Sequence, residues 1–238
     1  MYLTTLPDAL ALGLDHVRAW RLTSHQPLLD NAGLTADEAL VAASSRTEGP
    51  SGYRTLLESL GYAGTVPAGD RLRDTVNTRG WRSHAAVVDA VSIATLLHGG
   101  GLGLHRLTGD DERRDLVVTR AHGTERITPA FSTRSRQIPA GDLVYGVRLS
   151  DSELQPFAWL GRRDCDSAER QLTEDTCEAV LVALGCPDED ESHTDVIGET
   201  VARILSNCRP DISMTALRAR EESSAQATTD PATASAGR

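Results

Sequence analysis

The pattern of apolar and polar positions is most regular between residues 82 and 107, where an apolar run leads into a glycine-rich segment. Apolar side chains recur there at spacings that suit one buried face of a helix. The motif GGGLG at residues 99–103 follows the last apolar residue, and glycine is typical just beyond the end of a helix. The pattern therefore predicts a buried helix, a glycine-rich turn and a second segment that carries His105.

Further elements follow from the same reasoning along the rest of the chain. Helical patterns cover residues 35–45, 53–60 and 194–207, of which the first begins with a capping box and the last is expected to pack on a sheet. Strands are predicted at residues 10–22, 115–121, 127–131, 143–147, 157–160 and 179–184. Residues 61–71 are rich in Gly and Pro and predict a loop. Residues 221–238 have too few apolar side chains to offset their ordering entropy and are predicted to be disordered.

The composition limits the kind of protein that this chain can be. Its 238 residues allow one large domain or two small ones, and with 4% aromatic residues the core is built mainly from Leu, Val, Ala and Ile. The four cysteines form neither a CxxC pair nor a disulfide framework, and no signal-like segment is seen at the N-terminus. No apolar run approaches the length of a membrane span. We expect a reduced, cytoplasmic protein without a membrane role.

Charge is distributed unevenly along the chain. The net charge is -10, and all 24 basic side chains are Arg because the sequence has no Lys. Residues 51–176 carry 16 Arg against 17 acidic residues, whereas the acidic surplus lies in residues 1–50 and 177–238. The overall charge disfavours a general nucleic-acid coat protein, since such affinity comes from neutralised phosphates. The middle of the chain could still form a local positive face, with scattered solvated charge as the alternative.

Three polar side chains bracket the predicted buried helix and its exit turn, namely Asp89, Ser92 and His105. They could line a polar pocket, although a helix-capping Asp and an ordinary His would give the same pattern. The GGGLG motif follows a helix, whereas phosphate-binding loops follow a strand and open a helix. No His or Cys pair has zinc-ligand spacing, and no Gly-x-Ser-x-Gly motif occurs. We therefore predict no metal and no cofactor.

The segment VVDAVS at residues 87–92, with its glycine-rich exit, resembles the B3/B4 domain. This domain is the editing module of the bacterial phenylalanyl-tRNA synthetase β subunit, and it has free-standing relatives that include deacylases for tRNA carrying canavanine. Upstream, YRTLL (53–57) and LRD (72–74) resemble the free-standing relatives. Downstream, three blocks fall in the family's order: LVVTRAHGTE (116–125), IPAGDLVY (138–145) and WLGRRDCDSAERQLTEDT (159–176). The resemblance covers residues 53–184.

This resemblance implies a fold and an activity. The fold is α+β, with a mixed or antiparallel β-sheet core and flanking helices in a single domain over residues 1–220. The activity is that of a free-standing deacylase that hydrolyses the ester of a tRNA charged with a non-protein or near-cognate amino acid. Such chemistry needs a positioned water, donors for the oxyanion and a site for the 3′ adenosine. The implied partner is tRNA, with no DNA and no membrane, and the oligomeric state is left open.

The resemblance also implies site residues, with departures from the family's pattern. Ser92 stands where the synthetase module has Asn, and the family's editing histidine falls on Gly103, two residues before His105. The family's acidic residue falls near Glu169, for which Asp164 and Asp166 are substitutes, although pairing with neighbouring arginines is the alternative for all three. The predicted catalytic residues are His105, Ser92 and Glu169. Predicted substrate contacts are Asp89, Val91, Gly103, Glu125, Asp164 and Asp166, and predicted tRNA contacts are Arg79, Arg82, Arg120, Arg162 and Arg163.

Two other functions remain open at this stage. The departures at Ser92 and Gly103 are compatible with a tRNA- or RNA-binding module of the same fold that lacks catalysis. The overall acidity is compatible with a small-molecule hydrolase or an amino-acid-binding protein. A cationic amino acid would require a carboxylate in the pocket and an aromatic one would require an apolar floor, and the sequence does not decide between them.

Overall fold

A computed structural model describes residues 1–30, 34, 37, 52–150, 152–161 and 164–220. Its helices are α1 (Pro7–Leu10), α2 (Gly52–Ser59), α3 (Ala68–Arg79), α4 (Ala86–His98) and α5 (His193–Cys208). Its strands are β1 (Leu3–Thr5), β2 (Arg18–Thr23), β3 (Leu102–Arg106), β4 (Leu116–Arg120), β5 (Arg126–Ile127), β6 (Arg136–Gln137), β7 (Leu143–Ser150), β8 (Glu153–Leu160), β9 (Cys165–Asp166), β10 (Glu178–Ala183) and β11 (Ser213–Ala216).

The strands form two main sheets and one short hairpin. The four-stranded sheet has the order β11-β2-β10-β3 and is antiparallel throughout. The five-stranded sheet has the order β1-β4-β7-β8-β9, in which only the β1–β4 pair is parallel. The hairpin joins β5 to β6. The predicted α+β class with a mixed or antiparallel sheet and flanking helices is therefore confirmed.

Strand β10 shows how the layers pack. Val180 and Val182 belong to the core cluster that contains Phe157 of the five-stranded sheet. Leu181, on the opposite face, belongs to the cluster formed with α4 and α5. Since alternate strand side chains point to opposite faces, this strand is buried on both sides, as its continuous apolar run requires. The molecule thus stacks helices, the four-stranded sheet and the five-stranded sheet, and the predicted strand at 179–184 and helix at 194–207 are confirmed.

Helix α3 is the main element that the sequence pattern failed to predict. A loop was expected over residues 61–71, but the helix begins at Ala68 and continues to Arg79. Only Gly69 and Val76 are buried along it, so no apolar periodicity marks the helix in the sequence. The N-terminal prediction is also partly wrong, because β2 begins only at Arg18, and the expected strand at 127–131 is limited to the two-residue strand β5.

Several predictions fall on residues outside the described ranges. They are the helix at 35–45, apart from residue 37, the tail at 221–238, and the side chains of Arg162 and Arg163. Among the helices that the structure describes, none has the length and apolar character needed to cross a bilayer. The four cysteines are free thiols.

Candidate functional site

A cavity of about 730 Å³ is lined by helix α4, strand β3 and the end of the five-stranded sheet. One part of its wall is apolar and the other carries carboxylates and hydroxyl groups. The apolar residues include Leu72, Val88, Val91, Leu102, Leu104, Leu160 and Leu172, and the polar residues include Tyr53, Ser92, Tyr145, Asp164, Asp166 and Glu174. A cavity of this size and mixed character suits a small organic ligand with a charged group.

Glycines of strand β3 and the turn before it allow the cavity wall to pack closely. A Cβ atom on Gly103 would collide with the hydroxyl oxygen of Tyr145 and with the imidazole of His105. A Cβ atom on Gly101 would lie 2.7 Å from the ring of Tyr53. Both tyrosines therefore reach the cavity only because glycine leaves room for them.

His105 does not line the cavity but contacts Tyr145, which does. His105 is 0% exposed, and its Nε2 lies 2.7 Å from the Tyr145 hydroxyl oxygen. Burial, with a smaller contribution from the positive charge of Arg170, lowers the pKa of His105 to about 3. The imidazole is therefore neutral at physiological pH.

The tautomer of His105 decides where the Tyr145 proton points. Among the described residues, Nδ1 of His105 has no hydrogen-bond partner. We place the proton on Nε2, because a buried N–H without a partner is rarer than an unpaired lone pair. The Tyr145 oxygen then accepts a hydrogen bond from His105, and its own O–H can donate into the cavity that it lines.

A second buried group, the pair of Asp111 and Arg170, is held by an ion pair. Nη1 of Arg170 donates to Oδ2 of Asp111 at 2.6 Å, and the two side chains are 5% and 0% exposed. The guanidinium of Arg170 also lies 4.5 Å from the ring centroid of Phe157. Burial tends to raise the pKa of Asp111, but hydrogen bonds from Arg170 and Thr108 outweigh it and hold the pKa below its usual value.

The acidic wall of the cavity has the opposite character. Asp164 and Asp166 stand two residues apart at strand β9, a spacing that places side chains on the same face. Within the part of the chain that is described, both carboxylate oxygens of Asp164 are buried, and they interact with the Tyr53 hydroxyl and the backbone N–H groups of Gly161 and Ala68 without ideal hydrogen-bond geometry. Burial raises its pKa to about 6, although the Tyr53 hydroxyl and the charge of Arg71 pull it down. A carboxyl group with such a pKa is mostly ionised at pH 7 but readily accepts a proton.

Asp166 is raised in the same way, by burial first and by the negative charge of Asp164 second, to a pKa of about 6. Its side chain is nevertheless exposed, and Asp166 is one of the residues that line the cavity. Water in the cavity therefore screens part of this upward shift without reversing it. Between the two aspartates, burial and both carboxylates raise the pKa of the Cys165 thiol to about 11, so it is not a thiolate nucleophile.

The structure brings some predicted site residues to the cavity and leaves others elsewhere. Those that line it are Val91, Ser92, Gly103, Asp164 and Asp166. His105 reaches it only through Tyr145, and Glu169 is exposed and is not among the described lining residues. The predicted catalytic trio of His105, Ser92 and Glu169 is therefore not assembled around one space.

Asp89 and Glu125 hold loops in place and do not line the cavity. The carboxylate of Asp89 accepts from the Ser83 hydroxyl at 2.5 Å and from the backbone N–H groups of His84 and Leu34. Glu125 is buried and accepts from three consecutive backbone N–H groups, those of residues 122–124. Protein donors occupy both carboxylates, which gives them a structural role in place of the predicted substrate contact.

The arginines predicted to contact tRNA differ in availability. Arg79 and Arg82 are exposed near the C-terminal end of α3. Arg120 is half-buried, and its Nε donates to the backbone oxygen of Gly141 at 2.8 Å. Arg162 and Arg163 lie outside the described residues.

Sequence reasoning did not identify Tyr53 or Tyr145 as site residues. Both stand in segments that the pattern assigned to a helix and a strand, where a tyrosine is most simply a core residue. The signal that could have identified Tyr145 is its proximity to the glycine-bearing β3, and this relation exists only in three dimensions. No group of three or more potential metal ligands occurs among the residues with assigned positions.

Comparison with known proteins gives a weak structural likeness and no family. No protein-family model matches the chain, and no curated protein matches it. Among solved structures, the chain is similar to an N-terminal fragment of the phenylalanyl-tRNA synthetase β-subunit from Pyrococcus horikoshii, with a TM-score of 0.47 and 10% sequence identity. The alignment covers 93% of this chain and 52% of that chain, so the chain spans about half the length of this neighbour. The likeness concerns the fold and assigns no activity.

Proposed function

We propose that the protein is a free-standing aminoacyl-tRNA deacylase, which hydrolyses the ester bond between an amino acid and the 3′ end of a tRNA. The observation that carries this proposal is the pair of raised-pKa carboxylates, Asp164 and Asp166, in the wall of the 730 Å³ cavity. The family resemblance of the sequence supplies the substrate class. The ester of an amino acid matches the cavity because it combines an ammonium group with a side chain that the apolar wall can accept.

The two carboxylates are suited to different tasks. Asp166 is exposed, and we assign it the role of the general base that takes a proton from the attacking water. Asp164 is more enclosed and lies beside the Tyr53 hydroxyl. We propose that its carboxylate binds the α-ammonium group of the amino acid. Occupation by an ammonium would lower the pKa of Asp164, because a nearby positive charge favours the carboxylate.

Hydroxyl groups supply the donors that the reaction requires. As water attacks the ester carbonyl, negative charge develops on its oxygen and must be stabilised by donors already in place. Tyr145 and Ser92 both line the cavity, and their hydroxyl groups can donate. His105 acts indirectly, because its neutral imidazole fixes the Tyr145 oxygen at 2.7 Å. In this assignment His105 is a positioning residue and not a base.

The deciding experiment incubates the protein with a panel of mischarged tRNAs and follows ester cleavage. We expect Asp166→Asn to lower kcat/KM by roughly 100-fold or more, since general-base catalysis contributes about 10²–10⁴. Glu153→Gln, which changes an exposed acid in β8, serves as the matched control and should leave the rate unchanged. The rate should also rise with pH through about 6, as the carboxylates lose their protons. Cleavage no faster than in buffer for every tRNA would reject the proposal.

A non-catalytic amino-acid-binding protein is the second candidate. It is favoured by one observation, which is that the described lining residues include acids but no arginine that could meet a phosphate inside the cavity. In the same assay this function would appear as saturable binding of a free amino acid without ester cleavage and without tRNA binding at low salt.

A further inference from the structure

One aromatic side chain of this protein is both fully exposed to solvent and carried on a backbone with positive φ, and each property is unusual for a large apolar residue. Phe131, between β5 and β6, is 98% exposed, and its backbone φ is 60°. A positive φ is uncommon outside glycine and is a true outlier for a bulky residue. Asp188 is the other non-glycine residue with positive φ in the described ranges, but Asp tolerates this conformation. Strain of this kind is retained where the surrounding structure enforces it, and it clusters at ligand sites.

The surrounding structure does enforce the position of Phe131. The N–H of Ser132 donates to the Pro129 oxygen at 2.9 Å and closes a turn with Phe131 as its third residue. The preceding Ala130 N–H donates to the backbone oxygen of Asp166 at 2.7 Å, which ties the turn to the strand that carries the proposed base. Phe131 itself lines the mouth of the cavity. The ring is thus exposed, and its position relative to the cavity is fixed by the backbone hydrogen bonds of the turn.

The segment around Phe131 is positively charged in a protein whose net charge is -10. Residues 126–137 contain Arg126, Arg134 and Arg136 and no acidic residue. All three arginines are exposed. An exposed aromatic ring beside several arginines is the combination that binds single-stranded nucleic acids, with bases stacked on the ring and phosphates on the cations.

We propose that Phe131 is a stacking platform for the terminal nucleobase of a single-stranded RNA 3′ end, and that the three arginines of the 126–137 segment bind its adjoining phosphates. This inference rests on the proposed function, because the 3′ end held in this way is the one whose aminoacyl group enters the cavity. It explains how an acidic cavity accepts a polyanion, since the phosphates stay outside it on the arginine-bearing hairpin. A stacked base would also be sequence-tolerant, because every base offers a π-face.

The test measures binding of a short single-stranded RNA with 2-aminopurine as its 3′-terminal base, whose fluorescence is quenched on stacking. The matched ligand is the same RNA with an abasic 3′ terminus. We expect Phe131→Leu and Phe131→Gly to weaken binding of the base-bearing RNA by roughly 5- to 100-fold, the range of one base–aromatic stack, and to abolish the quenching. Phe131→Trp should retain both, and no Phe131 variant should change the binding of the abasic RNA.

The glycine variant separates this role from a structural one. Glycine accepts a positive φ without strain, so Phe131→Gly should fold at least as stably as the parent while it loses RNA affinity. Replacing Arg134 and Arg136 by Gln should weaken both RNAs alike and should reduce the slope of log Kd against log salt by about 0.7 for each phosphate that is no longer neutralised.

The outcomes distinguish this platform from the deacylase itself. Equal affinities of the parent and Phe131→Leu for the base-bearing RNA would overturn the platform, whether or not ester cleavage is seen. Phe131-dependent quenching without cleavage of any aminoacyl-tRNA would support the platform and reject the hydrolase. In an active protein, Phe131→Leu should raise KM for aminoacyl-tRNA by a larger factor than KM for an amino-acid methyl ester, which has no base to stack. Absence of binding to either RNA at low salt would overturn the platform. The proposed hydrolase activity would then be tested separately, with the amino-acid methyl ester as substrate.

Discussion

The buried network of Asp111, Arg170, Phe157 and His105 and the acidic wall of the cavity, formed by Asp164 and Asp166, place carboxylates in opposite situations. Asp111 is fully buried, yet its pKa lies below the usual value because Arg170 and Thr108 donate to it. Asp164 is less buried, yet its pKa rises to about 6. Among the described residues, Asp111 has a cationic partner at hydrogen-bond distance and Asp164 has none, so the depth of burial alone does not set the direction of the pKa shift. Raised pKa values therefore mark the wall, and not the network, as the part prepared to bind or react.

The two regions meet at Tyr145. Its oxygen accepts from His105 on the network side, while the ring reaches the cavity wall. Burial first, and then the charges of Asp166 and Asp164, raise the pKa of Tyr145 well above its usual value. The phenol therefore stays protonated and can act only as a hydrogen-bond donor or acceptor. A paired interior thus adjoins a wall whose carboxyl groups have raised pKa values.

The largest expected effect comes from breaking the paired interior. Arg170→Met leaves the Asp111 carboxylate buried without its cation, and we expect the free energy of unfolding to fall by about 3–5 kcal/mol. Denaturant unfolding at pH 7 measures it. The matched control is Arg114→Met, because Arg114 lies 3.9 Å from the same carboxylate but is 35% exposed, and this change should cost about 1 kcal/mol or less. Similar losses in both variants would show that burial of the pair does not matter.

A smaller effect should appear when the neutral histidine of the interior is replaced. The pKa of His105 is about 3 in the folded protein against an ordinary value of 6.5, so the unfolded chain binds a proton that the folded protein does not. The parent therefore loses stability as pH falls below 6.5, by about 1.4 kcal/mol per pH unit. His105→Gln lacks this proton, so its loss between about pH 6.5 and 5 should be smaller by about 2 kcal/mol.

Stability measured at several pH values checks the histidine prediction. His122→Gln, at an exposed position, controls for removal of an imidazole as such. An unchanged pH slope in His105→Gln would mean that the imidazole accepts a proton over the same pH range in the folded protein as in the unfolded chain. Below that range the protonated His105 would need an acceptor for its second N–H, and burial would not be what keeps it neutral.

The outcome for individual residues shows what a sequence pattern can predict. The helix at 194–207 and the strand at 179–184 were predictable, because each buries an apolar stripe or run large enough to show its period. Helix α3 was not, since it lies on the surface and buries only Gly69 and Val76. Periodicity therefore predicts elements in proportion to the apolar surface that they bury.

The site was predictable only in part, for a different reason. Asp164 and Asp166 were candidates from their position, and the structure places both on the cavity, but Asp89 and Glu125 looked equally suitable in the sequence. Whether a carboxylate is free depends on which backbone N–H groups face it, as those of His84 and Leu34 face Asp89. Tyr145 became visible only through the space that Gly103 leaves beside it. Such relations between distant segments leave no local pattern in the chain.

The smallest expected effect, and the one of opposite sign, concerns the acidic wall. Asp164 has a pKa of about 6 in the folded protein against an ordinary value of 3.8, so the stability that its protonation provides at low pH is lost as pH rises through about 6. Asp164→Asn does not undergo this loss. At about pH 8 we expect the variant to be more stable than the parent by about 1 kcal/mol after allowance for solvent screening, and near pH 4 we expect no difference.

Asp111→Asn is the matched control and should lower stability at the same high pH, because Arg170 then loses its buried anion. Destabilisation by Asp164→Asn at high pH would mean that Asp164 is held by favourable contacts, as Asp111 is, and the acidic wall would then be a second structural network and not a site that awaits a cation.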